Sequence, residues 1–169
     1  MSAITDYFTA PSDEAAAAAL DGLLDLDPDV VEADRALYRI DPAEASRPRV
    51  RAAASGTPVL EAKRIEPRVA LGRLEEALTG RSYEEIVAGP RRGSLVAAGE
   101  DSVVLAVADE LRDALAGVDG GAVTAAARVW IFDEAAEPSE ESAPFVAALA
   151  ELAVDAVARG DRIYCHVVF

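Results

Sequence analysis

The chain has 169 residues, a single cysteine, 51% hydrophobic residues, and a net charge of −15 from 16 basic and 31 acidic side chains. That length suffices for one domain whose core needs neither disulfides nor a structural metal. The acidity argues against nucleic acid as a partner, since such binding rests on a basic surface that displaces phosphate counterions.

No uncharged apolar run reaches the roughly 20 residues of a membrane helix, so no span is expected. Cys165 has no partner for an internal disulfide, and Met1 to Asp6 holds no basic region leading into an apolar run. Both point to a reducing compartment, and the expected location is cytoplasmic. Charge is unevenly placed: Met1 to Asp34 has nine acids and no Lys or Arg, residues 35–92 carry 12 basic and 8 acidic groups, and residues 93–169 carry 4 and 14.

In chain order, Ile4, Tyr7 and Phe8 form a short apolar patch that suits a strand. Ser12 stands as a helix N-cap with Asp13 and Glu14 in the first turn, where the helix dipole favours acids, and this helix is expected to run to about Leu24. Asp27-Pro28 opens a second short helix through Leu37. Asp41 to Gly56 has three arginines, two prolines and little apolar content, and reads as a long loop or an ordered but irregular surface segment. Val59 to Ile65 reads as a strand. Glu66-Pro67 restarts a helix with Leu71, Leu74 and Leu78 on one face, which Thr79-Gly80 ends. Ser82 to Glu85 is a capping box for another short helix, stopped by Gly89-Pro90.

Ser102 to Val107 is a β-branched apolar run that suits a buried strand. Asp109 to Ala116 is helical with Leu111 and Leu115 inward, and Gly117 closes it. A further helix from Asp119 to Arg128 leads into Trp130-Ile131-Phe132. After an acidic loop, Ser142 caps the longest helix, whose inner stripe is Phe145, Leu149, Leu152, Ala153 and Ala156, with Gly160 as its stop. Arg162 to Phe169 is a strand apolar on both faces, which belongs near the centre of a sheet. Residues 1–169 thus make a single α+β domain: a small mixed β-sheet packed with several helices, the C-terminal strand central.

The layout resembles the YfbM-like family of small bacterial proteins of unknown function. The resemblance is carried by Ile4-Thr5-Asp6-Tyr7-Phe8, by Leu74 to Gly80, by Val104 to Leu111, and by Ala158-Arg159-Gly160-Asp161 before the last strand. It implies an α+β fold and no active site to carry over. The family's tryptophan-containing middle segment has no counterpart near Leu71.

Catalytic motifs are lacking. His166 and Cys165 are adjacent on one strand, so they face opposite ways and cannot share a metal ion. Asp25 to Asp29 opens like a calcium loop, but Val30 and Ala36 replace the required glycine and glutamate. No nucleotide fingerprint and no serine elbow is present, so neither a metal nor a cofactor is expected. Two features remain. Asp133, Glu134, Glu137, Glu140 and Glu141 concentrate five acids in nine residues, a docking surface for a basic partner. Alternatively, Trp130, Tyr164 and His166 line a pocket, with His166 as a general base. The leading expectation is a non-enzymatic, acidic protein-binding module of an immunity or regulatory type, capturing a basic partner such as a toxin. The alternative is a small enzyme or ligand-binding domain built on that pocket.

Overall fold

The structure, a computed structural model, describes residues 4–20, 50–52, 58–63, 65, 67–130 and 142–169. Its strands are β1 (Ile4–Ala10), β2 (Val50–Ala52), β3 (Pro58–Lys63), β4 (Leu95–Ala98), β5 (Ser102–Ala106) and β6 (Arg162–Val168). Its helices are α1 (Asp13–Ala18), α2 (Val69–Thr79), α3 (Tyr83–Val87), α4 (Asp109–Gly117), α5 (Gly120–Val129) and α6 (Ala143–Arg159). The second helix expected from Pro28 to Leu37, and the calcium-like segment before it, lie outside the described residues.

The strands form one sheet in the order β2-β3-β1-β6-β5-β4, so the expected central place of the C-terminal strand holds. Among the described residues every pairing is antiparallel, which corrects the expected mixed sheet. The reason lies in the connection from β5 to β6. Three helices intervene among the described residues, yet the chain returns to the end of the sheet it left, where the Val107 amide donates to the Ile163 carbonyl. β6 therefore runs back against β5 instead of alongside it. Two short strands depart from the sequence reading: β2 lies within the stretch read as a loop, and β4 lies in a stretch assigned no element.

Strand alternation sends Tyr7, Leu60, Ala62, Ile163, Cys165 and Val167 to one face, where they join Leu71, Leu74, Leu111, Leu115, Phe145 and Leu149 of the helices in the main core. Tyr7 meets Phe145 edge-on at 5.7 Å between ring centres, and Phe145 stacks on Trp130 at 5.8 Å. The other face carries Phe8, Val59, Val104 and Tyr164, which pack with Ala16 and Leu20 in a smaller core.

Local signals place the helix ends. The Ser12 hydroxyl accepts from the Ala15 amide, and Ser82 with Glu85 completes the capping box. Gly80 and Gly160 end α2 and α6 at φ of 69° and 73°, a backbone that side-chain-bearing residues adopt at a cost. Ser142 departs from expectation: it makes no cap hydrogen bond, and its hydroxyl donates to the Ala127 carbonyl, tying α6 to α5.

Candidate functional site

Of the sequence-derived candidates, the described ones divide between the two faces of the sheet. Asp133, Glu134, Glu137, Glu140 and Glu141 lie outside the described residues. Trp130 sits in the helical core, 1% exposed, with its indole N–H donating to the Ala70 carbonyl at 2.7 Å. Tyr164 and His166 alternate with Cys165 on β6 and so point from the opposite face of the sheet. A strand layer separates Trp130 from the other two, and the three do not line a common cavity.

Two constellations arise that sequence spacing does not reveal. The first is a row across the centre of the sheet. Asp6 of β1 stands directly opposite His166 of β6 on one side and Glu61 of β3 on the other. Residues paired in this way share a face with Cβ atoms about 5 Å apart. Asp6 is 3% exposed and His166 is fully buried. A general base must reach the proton it removes, and a sealed imidazole does not meet that requirement. The row is thus better suited to holding central strands in register than to turning over a substrate. Among the described residues, no group of three or more His, Cys, Asp or Glu is placed to hold a metal ion.

The second constellation sits at the end of the sheet where β5 leaves and β6 enters. Asp13, in the first turn of α1, accepts two hydrogen bonds from Arg91 at 2.9 and 3.0 Å and a third from the Tyr164 hydroxyl at 2.8 Å. Arg162 Nη1 lies 3.7 Å from the same carboxylate. Asp109, at the start of α4, lies 3.6 Å from Arg91, 3.8 Å from Arg162 and 3.5 Å from Arg112. Arg112 also binds Asp113, while Arg159 pairs with Asp161 and donates to the Thr9 hydroxyl.

The electrostatics follow from this packing. The Tyr164 hydroxyl is pushed up to about 12, first by burial and then by the adjacent Asp13 carboxylate. Asp13 is held below the ordinary carboxylate range, first by the Tyr164 hydrogen bond and also by Arg91, against the opposing pull of burial. Arg91 has φ of 66°, a left-handed backbone that costs a non-glycine residue about 1–2 kcal/mol. Its hydrogen bonds to Asp13 hold it there. Arg91, Arg112, Arg159 and Arg162 are matched by Asp13, Asp109, Asp113 and Asp161, so each cation already faces a carboxylate. The cluster is a clamp joining α1, the loop before β4, α4 and β6, with no cation left over for an anionic substrate.

A third group lies on the helical side. The Arg73 guanidinium lies 4.1 Å and that of Arg92 5.1 Å from the centre of the Tyr83 ring. Gly72 of α2 leaves the room that the Arg92 guanidinium occupies on its way to the Arg68 carbonyl. Nearby, Glu75 is 2% exposed and its carboxyl is raised by burial, which the Arg81 charge at 3.4 Å partly offsets. Among the described residues, no helix is long and apolar enough to cross a membrane. No protein-family model, curated protein or solved structure matches this chain, and the likeness to the YfbM-like family rests on its sequence layout alone.

Proposed function

We propose that this protein is a non-enzymatic, acidic binding module that captures a basic protein, in the manner of an immunity or regulatory protein opposing a toxin. The observation that carries the reading is how the positive charge is used. Residues 93–169 contain four arginines against fourteen acids, and Arg112, Arg159 and Arg162 are engaged with carboxylates of their own chain. Glu100, Asp101, Glu110, Asp119, Glu151 and Asp155 remain on the surface. Such a surplus of one sign accelerates encounter with a partner of the opposite sign, while affinity comes from apolar anchors at the contact. The acids from Asp133 to Glu141 add to this field. The buried, lone Cys165 fits a reducing, cytoplasmic setting.

The pocket reading is weaker, because Trp130 lies across the sheet from Tyr164 and His166 and the imidazole is sealed. The test is recovery of partners on the tagged protein at low and at physiological salt, followed by association kinetics of the purified pair. A partner of high isoelectric point is expected, with an on-rate that falls steeply with salt and with Glu134, Glu137, Glu140 and Glu141 all changed to Gln. A neutral or acidic partner, or an on-rate unmoved by both changes, refutes the reading.

A further inference from the structure

α6 is the longest helix among the described residues, and its sides differ in how they are covered. Phe145, Leu149, Leu152 and Ala156 turn into the main core, and α4 and α5 both pack against the helix. The outer side carries Val154 and Val157, 50% and 47% exposed. Among the described residues, no other element exposes two large apolar side chains within one turn. Valine is stiff at χ1 and favours a helix less than the neighbouring Ala147, Ala150 and Ala158 do, so the helix itself gives no reason for two valines at the surface.

Glu151 and Asp155, both exposed and four residues apart, stand beside these valines on the helix surface. The one basic residue of α6, Arg159, is engaged by Asp161 and by the Thr9 hydroxyl. Bare aliphatic surface next to acids selects among occupants. A second copy brings the same acids and a further charge of −15, and the phosphates of nucleic acid or of an anionic bilayer meet those acids with like charge. A protein segment that carries lysine or arginine beside aliphatic side chains complements both halves of the surface.

We infer that this outer side of α6 is the contact for a basic partner, Val154 and Val157 receiving its apolar side chains and Glu151 and Asp155 its cations. The inference rests on the reading of the protein as a binder of basic protein, and it gives that reading a place on the fold. The acids from Asp133 to Glu141 then steer the encounter, while α6 supplies the apolar anchor on which affinity depends.

Amide NMR of the nitrogen-labelled full chain, titrated with a synthetic amphipathic helical peptide of leucine and lysine, tests this. The largest shifts are expected between residues 147 and 158. Val154→Ser combined with Val157→Ser weakens the affinity by about tenfold. Glu151→Gln combined with Asp155→Asn weakens it by about threefold or more at low salt. Glu100→Gln combined with Asp101→Asn removes the same charge elsewhere on the surface and changes the affinity by less than about twofold. All six positions are exposed, and circular dichroism confirms that each variant is folded. A peptide that binds through other residues, valine substitutions without effect, or a Glu100 and Asp101 pair that matters as much as the pair on α6 overturns this site and leaves the basic-partner reading standing. A peptide that does not bind, or a version with glutamate in place of lysine that binds equally well, overturns both. Shifts at Val154 and Val157 that appear on concentrating the protein alone assign the face to a second copy and overturn the inference.

Discussion

Replacing Tyr164 with phenylalanine removes one oxygen atom and tests whether the charged clamp holds α1 to the sheet. The ring is fully buried and its hydroxyl donates to Asp13 Oδ1 at 2.8 Å. A hydrogen bond to a charged group contributes about 1.5–3 kcal/mol net. Asp13 is half-exposed and keeps both bonds from Arg91, so the substitution leaves no orphaned carboxylate and the cost falls at the low end, about 1.5 kcal/mol. For a chain of this size that lowers Tm by about 3–6 °C. The sign of the pH dependence follows from the tyrosine itself. Its folded-state pKa of about 12 exceeds the ordinary 10, so its contribution is complete below pH 10 and is lost as pH rises through 12. Two pH units correspond to about 2.7 kcal/mol, enough to cancel the advantage of wild type. Urea denaturation followed by circular dichroism at pH 7 and at intervals from pH 9.5 to 11.5 should show the gap between wild type and Tyr164→Phe closing across the alkaline range. Equal stability at pH 7, or a gap that stays constant to pH 11.5, refutes the argument.

Other consequences are equally open to measurement. Glu75 is buried and titrates above its ordinary 4.5, so the folded state favours its protonated form and stability declines as pH rises from there through the folded-state pKa. Glu75→Gln should therefore match wild type near pH 4 and exceed it at pH 7 by up to about 1 kcal/mol, read from urea midpoints; a loss at pH 7 would show that the Arg81 pair dominates. Gly160→Ala meets no atom within 4 Å but must adopt φ of 73°, so thermal unfolding should report a loss of about 1 kcal/mol. Cys165 is fully buried, and a thiol reagent should label it only in denaturant; prompt labelling of the folded protein would show that the β6 face opens.

Short-range features were legible because their physics is short-range. Ser12 caps its helix through an amide three residues away, Ser82 and Glu85 complete a box within one turn, and Gly80 and Gly160 stop helices through their own backbone angles. The place of β6 was legible too, since a strand apolar on both faces is stable only with a covering on each side. β2 and β4 were not. The first is three residues long with an arginine at its middle, the second half alanine, and each becomes a strand because a neighbour supplies the ladder. Residue alternation told that Tyr164 and His166 share a face, but not which face Trp130 would join, because it sits on another element whose packing decides that. The bond from Tyr164 to Asp13 spans 151 residues, and Arg91 and Asp109 reach the same clamp from two further segments, while Arg162 joins it from the strand that carries Tyr164. Composition determined the acidity, the order of periodic segments pointed to an α+β domain, and local chemistry set the helix ends at Ser12, Gly80, Ser82 and Gly160. Only the tertiary structure decided that Asp6 would face His166 and that Arg91 and Arg162 would meet Asp13 and Asp109, because these pairs form only when segments distant along the chain are packed together.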